Sequence, residues 1–138
     1  MKRKKILRIF LVALAACSFL FMASAWLLFS DGSPVVRSSA LSTCYEWARL
    51  DQIPDTAEDV SVKSVGSMFT REFRISFRAP VSDVNSWLAT SPGTKEAIPE
   101  LLDDGTRVYN IKPGGGAQFA KVSVSKEGTK VRIHTYWS

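Results

Sequence analysis

The chain has 138 residues, 46% of them hydrophobic, with 18 basic and 13 acidic side chains and a net charge of +5. Five of the basic residues, Lys2, Arg3, Lys4, Lys5 and Arg8, sit at the extreme N-terminus, and removing them leaves 13 basic against 13 acidic. The rest of the chain is neutral on average, so no overall basic field steers a polyanion, and nucleic acid is excluded as an expected partner.

In chain order, the sequence divides into a basic N-terminus (1–8), a charge-free apolar run (9–29), a Ser-rich stretch (30–42) and a remaining domain (43–138). The run of 21 residues 9–29 corresponds to about 32 Å of helix, against about 30 Å of hydrocarbon in a bilayer. Inside it, Leu14-Ala15-Ala16-Cys17 is spelled like a lipoprotein box, with Cys17 as the candidate lipidation site. Ala23-Ser24-Ala25 is spelled like a signal-peptidase site. Cutting at either point leaves a greasy mature N-terminus, so the expected form is the uncut transmembrane helix. The positive flank then stays cytoplasmic, and the expected placement is a bacterial inner membrane crossed once, with the C-terminal domain periplasmic or outside. "SDGSPVVRSSALS" reads as a linker.

Residues 43–50 read as a short helix or an extended arm, closed by Ile53-Pro54. Val60 and Val62 alternate with Ser61 and Lys63, which predicts a strand. "FTREFRISFRA" is the clearest strand, with Phe69, Phe73, Ile75, Phe77 and Ala79 on one face and Glu72, Arg74, Ser76 and Arg78 on the other. Val84, Trp87 and Leu88 share one stripe of a two-turn helix that Ser82 or Asp83 can cap. "TKEAIPELL" allows a further helical piece, and Asp103-Asp104-Gly105 marks a turn. "RVYNIK", "AQFAKVSVS" and "TKVRIHTYW" then read as strands, the last two joined by a hairpin at Gly128. The expected fold is α+β: a transmembrane helix, then a small antiparallel sheet of about five strands in ββαβββ order, with a short helix on one face.

Chemistry is sparse. One exported Cys and one His fall short of a structural zinc set, Asp103-Asp104-Gly105 lacks the spacing of a calcium loop, and Gly114 to Gly116 lacks the context of a phosphate loop. No metal, cofactor or catalytic set is assigned. Cys44 is unpaired in the expected compartment and is noted as a candidate reactive or intermolecular thiol. Arg74 and Arg78 share the wet face of the long strand and form a candidate anion contact.

"IPDTAEDV" followed by "FRISFRAPVSDVNSWL" resembles a loose group of small exported bacterial proteins of unknown function. In these, a membrane anchor or lipoprotein signal precedes an Ile/Leu-Pro-x-x-Ala-x-x-Val segment and a strand ending in Phe-x-Ala-Pro. The resemblance spans about a third of the chain, residues 53–88. It implies an exported, anchored α+β domain and transfers no active site.

The expected function is therefore a membrane-anchored, non-enzymatic protein-interaction module with the membrane and one protein as partners. The alternatives are a lipoprotein carrying a small apolar ligand in a cleft lined by Phe73, Phe77, Trp87 and Trp137, and a small enzyme using Cys44 or His134.

Overall fold

The structure, a computed structural model, describes residues 2–29, 34–67 and 69–138, with side-chain surroundings in the first helix described for residues 13–26. The chain forms two compact units, Met1–Arg37 and Ser38–Ser138.

Helix α1 spans Lys2–Phe29. Its described side chains include exposed Leu14, Phe19, Leu20, Phe21, Met22 and Trp26. Ser18 and Ser24 return their hydroxyls to the carbonyls of Leu14 and Phe21, so neither interrupts the helix. Among the described residues, no helix is long and apolar enough to cross a membrane. This corrects the expected transmembrane signal-anchor, and with it the single-pass inner-membrane placement that rested on it.

The second correction concerns the element list. Helix α2 covers Pro34–Ala48, where the sequence pointed first to a linker and then to a short helix or arm. Pro34 suits the first helical position, where its missing N–H is not needed. Ala40, Cys44, Trp47 and Ala48 fall on one stripe and are buried. Ser42 and Thr43 donate to the Ser39 carbonyl, so the hydroxyl-rich composition that resembled a linker is satisfied inside the helix. Arg49 then takes a left-handed conformation (φ 51°) and turns the chain.

Six strands follow in one antiparallel sheet: β1 Glu58–Gly66, β2 Arg71–Arg78, β3 Glu100–Leu101, β4 Arg107–Ile111, β5 Phe119–Val124 and β6 Lys130–Trp137, in the spatial order β1-β2-β6-β5-β4-β3. Helices α3, Val81–Thr90, and α4, Pro92–Lys95, lie between β2 and β3 in sequence. The α+β class is consistent with the expectation, whereas the expected transmembrane helix, five strands in ββαβββ order and one short helix are replaced, among the described residues, by four helices and six strands. β3 is only two residues long, and α4 only four, too short for any periodicity to show.

Alternation decides which side of the sheet is covered. Phe73, Ile75 and Phe77 of β2, Val131 and Ile133 of β6, and Val122 and Val124 of β5 are buried on one face, together with Trp47, Val84, Trp87 and Leu88 from the helices. Trp47 meets Phe73 at 5.2 Å between ring centroids, and Phe77 meets Trp87 edge-on at 5.5 Å. Trp87 Nε1 donates to the Asp51 carbonyl at 3.1 Å, which satisfies the indole within the core. α3 begins after Pro80 with no side-chain cap. The expected caps are used otherwise, since Asp83 accepts from Thr56 Oγ1 at 2.6 Å and from Ser82 at 3.0 Å.

α4 approaches the end of α2 very closely. Gly93 N–H donates to the Arg49 carbonyl at 2.7 Å, and a Cβ on Gly93 would stand 2.2 Å from the Ala48 carbonyl oxygen. Gly93→Ala therefore forces two backbones apart. It is expected to lower unfolding free energy by about 1–3 kcal/mol, read as a shift in the urea midpoint. An unchanged midpoint would show that the contact is looser than described.

Candidate functional site

The uncovered face of the sheet is built by the alternate positions of the same strands. The registers place Lys63, Arg74, His134, Lys121 and Asn110 in one row across β1, β2, β6, β5 and β4. The next row is Ser61, Ser76, Arg132, Ser123 and Val108. Beyond it lies the row Glu58, Arg78 and Lys130 across β1, β2 and β6. This face thus carries the cations Lys63, Arg74, Arg78, Lys121, Lys130 and Arg132. Within its central strands, Glu72 is the acidic residue at a matching position, one row further out between Val65 and Tyr136. The domain is neutral as a whole, but its charge is sorted.

The row of serines is a floor. Short side chains at Ser61, Ser76 and Ser123 leave a shallow cleft of about 430 Å³, bounded by Lys63, Arg74, Lys121 and His134 and entered by Arg132. A second cleft of about 300 Å³ shares Ser123 and Arg132 and continues toward Lys130 and two turns of mixed charge, carrying Asp104 and Lys126 with Glu127.

Of the sequence-predicted anion contacts, Arg74 and Arg78 do lie on this face, each with a carboxylate of the same chain. Arg74 Nε bonds to Glu72 Oε1, and Arg78 stands 3.9 Å from Asp59 at the bulged start of β1. Glu72 also faces His134, with 2.8 Å between Oε1 and Nε2. That nitrogen is buried with no other partner. A proton on Nε2 turns the contact into a donated bond, whereas the opposite neutral tautomer sets two acceptors against each other. The Arg74 hydrogen bond is the largest influence holding the Glu72 carboxyl below its ordinary range, with the charges of Arg74 and His134 acting in the same direction. Among the described residues, no carboxylate stands at ion-pair distance from Lys63, Lys121, Lys130 or Arg132.

The other candidates lie elsewhere. Cys44 is on α2, fully buried, and its sulfur accepts from Thr135 Oγ1 at 3.7 Å. Thr135 faces the core, and its neighbour His134 faces the opposite side of the sheet, so strand alternation separates Cys44 from His134. Cys17 is exposed on α1. Phe73, Phe77 and Trp87 fill the interface between helices and sheet, while Trp137, 40% exposed, sits in a separate cleft with Trp47, Arg71 and Gly115. Gly114 N–H donates to the Trp47 carbonyl at 2.9 Å, and a Cβ on Gly115 would stand 2.7 Å from the Trp47 ring. The triple glycine is therefore a close-approach loop against α2. Among the described residues, no group of three or more His, Cys, Asp or Glu is placed to hold a metal.

The segment behind the family resemblance is structural: Ile53, Ala57 and Val60 pack on the core, Ala79 is buried, and Pro80 starts α3. Comparison with family models, with curated proteins and with solved structures finds no match to the chain.

Burial pushes the Cys44 thiol up to about 11, against 9.0 for a free thiol, outweighing the Thr135 hydrogen bond. The sign follows: above pH 9.0 the unfolded chain loses this proton while the folded chain keeps it until about pH 11. Stability from this group is full below pH 9 and is lost as pH rises through that window, by about 2–3 kcal/mol in all. Urea titrations of the native chain and of Cys44→Ala should show the steeper fall in the native chain between these pH values. Equal slopes would contradict the buried thiol. At pH 7–8 a thiol reagent should leave Cys44 unmodified until denaturant is added.

Proposed function

We propose that residues 38–138 form a non-enzymatic protein-interaction module whose contact surface is the open face of the sheet. One observation carries this reading. Three helices cover one side of the sheet, while the other side presents a continuous set of cations around a serine-floored cleft. Charged groups spread across a solvated face favour encounter with a complementary surface and fix its register.

The sheet edges support the face over the edge as the contact. β1 is bulged between Glu58 and Ser61 with Asp59 at φ 52°, and β3 is very short. These are devices that blunt edge-to-edge pairing. The separation of Cys44 from His134 removes the geometry that a thiol–imidazole pair needs.

A photo-crosslinking residue placed at Ser76 or at Ser123 should trap a discrete protein adduct in the cells that make this chain. The same residue at Asn85, exposed on α3, should not. Adducts that form equally from Asn85, or that fail to form from either serine, would contradict the reading.

A further inference from the structure

Resting on the proposed interaction surface, we infer that its occupant is an acidic, extended segment of a protein partner, laid across the strands in the serine-floored groove with Arg132 as the central anchor.

Three observations converge on this occupant. The first is charge complementarity. Arg132 stands between Ser76 and Ser123, with His134, Arg74 and Lys121 nearest in the adjoining row and Lys63 one strand beyond Arg74, and among the described residues no carboxylate is at ion-pair distance from Arg132, Lys121 or Lys63. Arginine's planar fork suits a carboxylate, which it can take in a two-bond contact. The second is an internal precedent. Two rows from Arg132 the same face already holds a carboxylate, Glu72, bonded to Arg74 and facing His134. The third is shape. The groove crosses β1, β2, β6 and β5, which at about 4.8 Å between neighbouring strands is about 14 Å. An extended chain of about four residues, rising about 3.3 Å per residue, spans that length. The serine hydroxyls on its floor can donate to backbone carbonyls or carboxylates of such a segment.

A nucleic-acid strand fits the same charge less well. Single-stranded binding relies on aromatic faces open for base stacking. Here the Phe119 and His134 rings meet edge-on at 5.2 Å, and the Lys121 ammonium lies 5.8 Å over the Phe119 ring. Phe119 and His134 are thus engaged with each other and with a cation, which leaves the half-buried Tyr136 opposite Phe119 rather than a run of open rings.

The test titrates the full chain with a capped oligoglutamate peptide of about four residues, following backbone amide shifts. In parallel titrations, a single-stranded oligonucleotide of equal charge and inorganic phosphate alone replace the peptide. The peptide should move the amides of Ser61, Ser76, Ser123 and Arg132, and its affinity should fall as salt rises from about 0.05 M to about 0.5 M. Arg132→Glu should weaken it by about tenfold or more, and Arg132→Gln by less, with thermal unfolding showing that both variants fold. Lys95→Glu, the same charge change at the exposed last residue of α4, should leave it unchanged. The inference is overturned if the oligonucleotide binds more tightly than the peptide, or if phosphate alone reproduces the shifts at equal affinity. It is also overturned if Lys95→Glu weakens binding as much as Arg132→Glu. Open-face crosslinks that persist while the peptide fails to bind overturn the acidic occupant alone; loss of both overturns the interaction surface itself.

Discussion

The register of β2 against β6 is the constraint on which the rest of the domain depends. Ile75 stands opposite Ile133, Phe77 opposite Val131, and Phe73 opposite Thr135, all on the helix-covered face. Because side chains alternate with a period of two, a slip of one residue would exchange the faces. Arg74, Ser76 and Arg78 would then enter the core against α2 and α3, and Phe73, Ile75 and Phe77 would meet water. Burying one unpaired guanidinium costs far more than any single contact in the sheet returns. The same register therefore fixes the core, selects the face that the helices cover, and gathers the cations on the face they leave open. The basic surface is a product of the packing rule applied to a particular sequence.

This also explains what could and could not be read from the residues alone. β2 and β6 were legible because their alternation is long and clean, and the turn at Gly128 was legible because the residue there needs a positive φ, observed at 76°. Arg74 and Arg78 were recognised as sharing a face for the same reason. α2 was not legible, since its buried stripe of Ala40, Cys44, Trp47 and Ala48 is diluted by serines whose hydroxyls bond back to the helix. Composition describes such a segment as a linker, and only the packing of Trp47 on Phe73 declares it a helix. The charge sorting was hidden more thoroughly. An equal count of acids and bases says nothing about where they lie, and the row that joins Lys63, Arg74, His134 and Lys121 unites strands far apart in sequence. The available signal was local: the wet positions of β2, β5 and β6 are rich in Arg, Lys and Ser.

The N-terminal segment shows the opposite case. There the sequence pattern, a basic flank and a charge-free run, pointed to a span, whereas among the described residues no helix is long and apolar enough to cross a membrane. In the domain, Cys44 illustrates how burial changes chemical meaning. A lone thiol is a nucleophile only as a thiolate, and desolvation under α2 keeps this one protonated, so its place is in the packing beside Thr135.

The central claim is that one face of a neutral domain carries a positive field. It is tested most directly by relaxation of protein protons with paired paramagnetic cosolutes, one anionic and one cationic, since the ratio of their effects reports local potential without any assumed ligand. The account predicts strong preference for the anionic probe at Ser76, Ser123 and Arg132, and no such preference at Asn85 on the outer side of α3. Equal relaxation by the two probes on both sides of the sheet would contradict it.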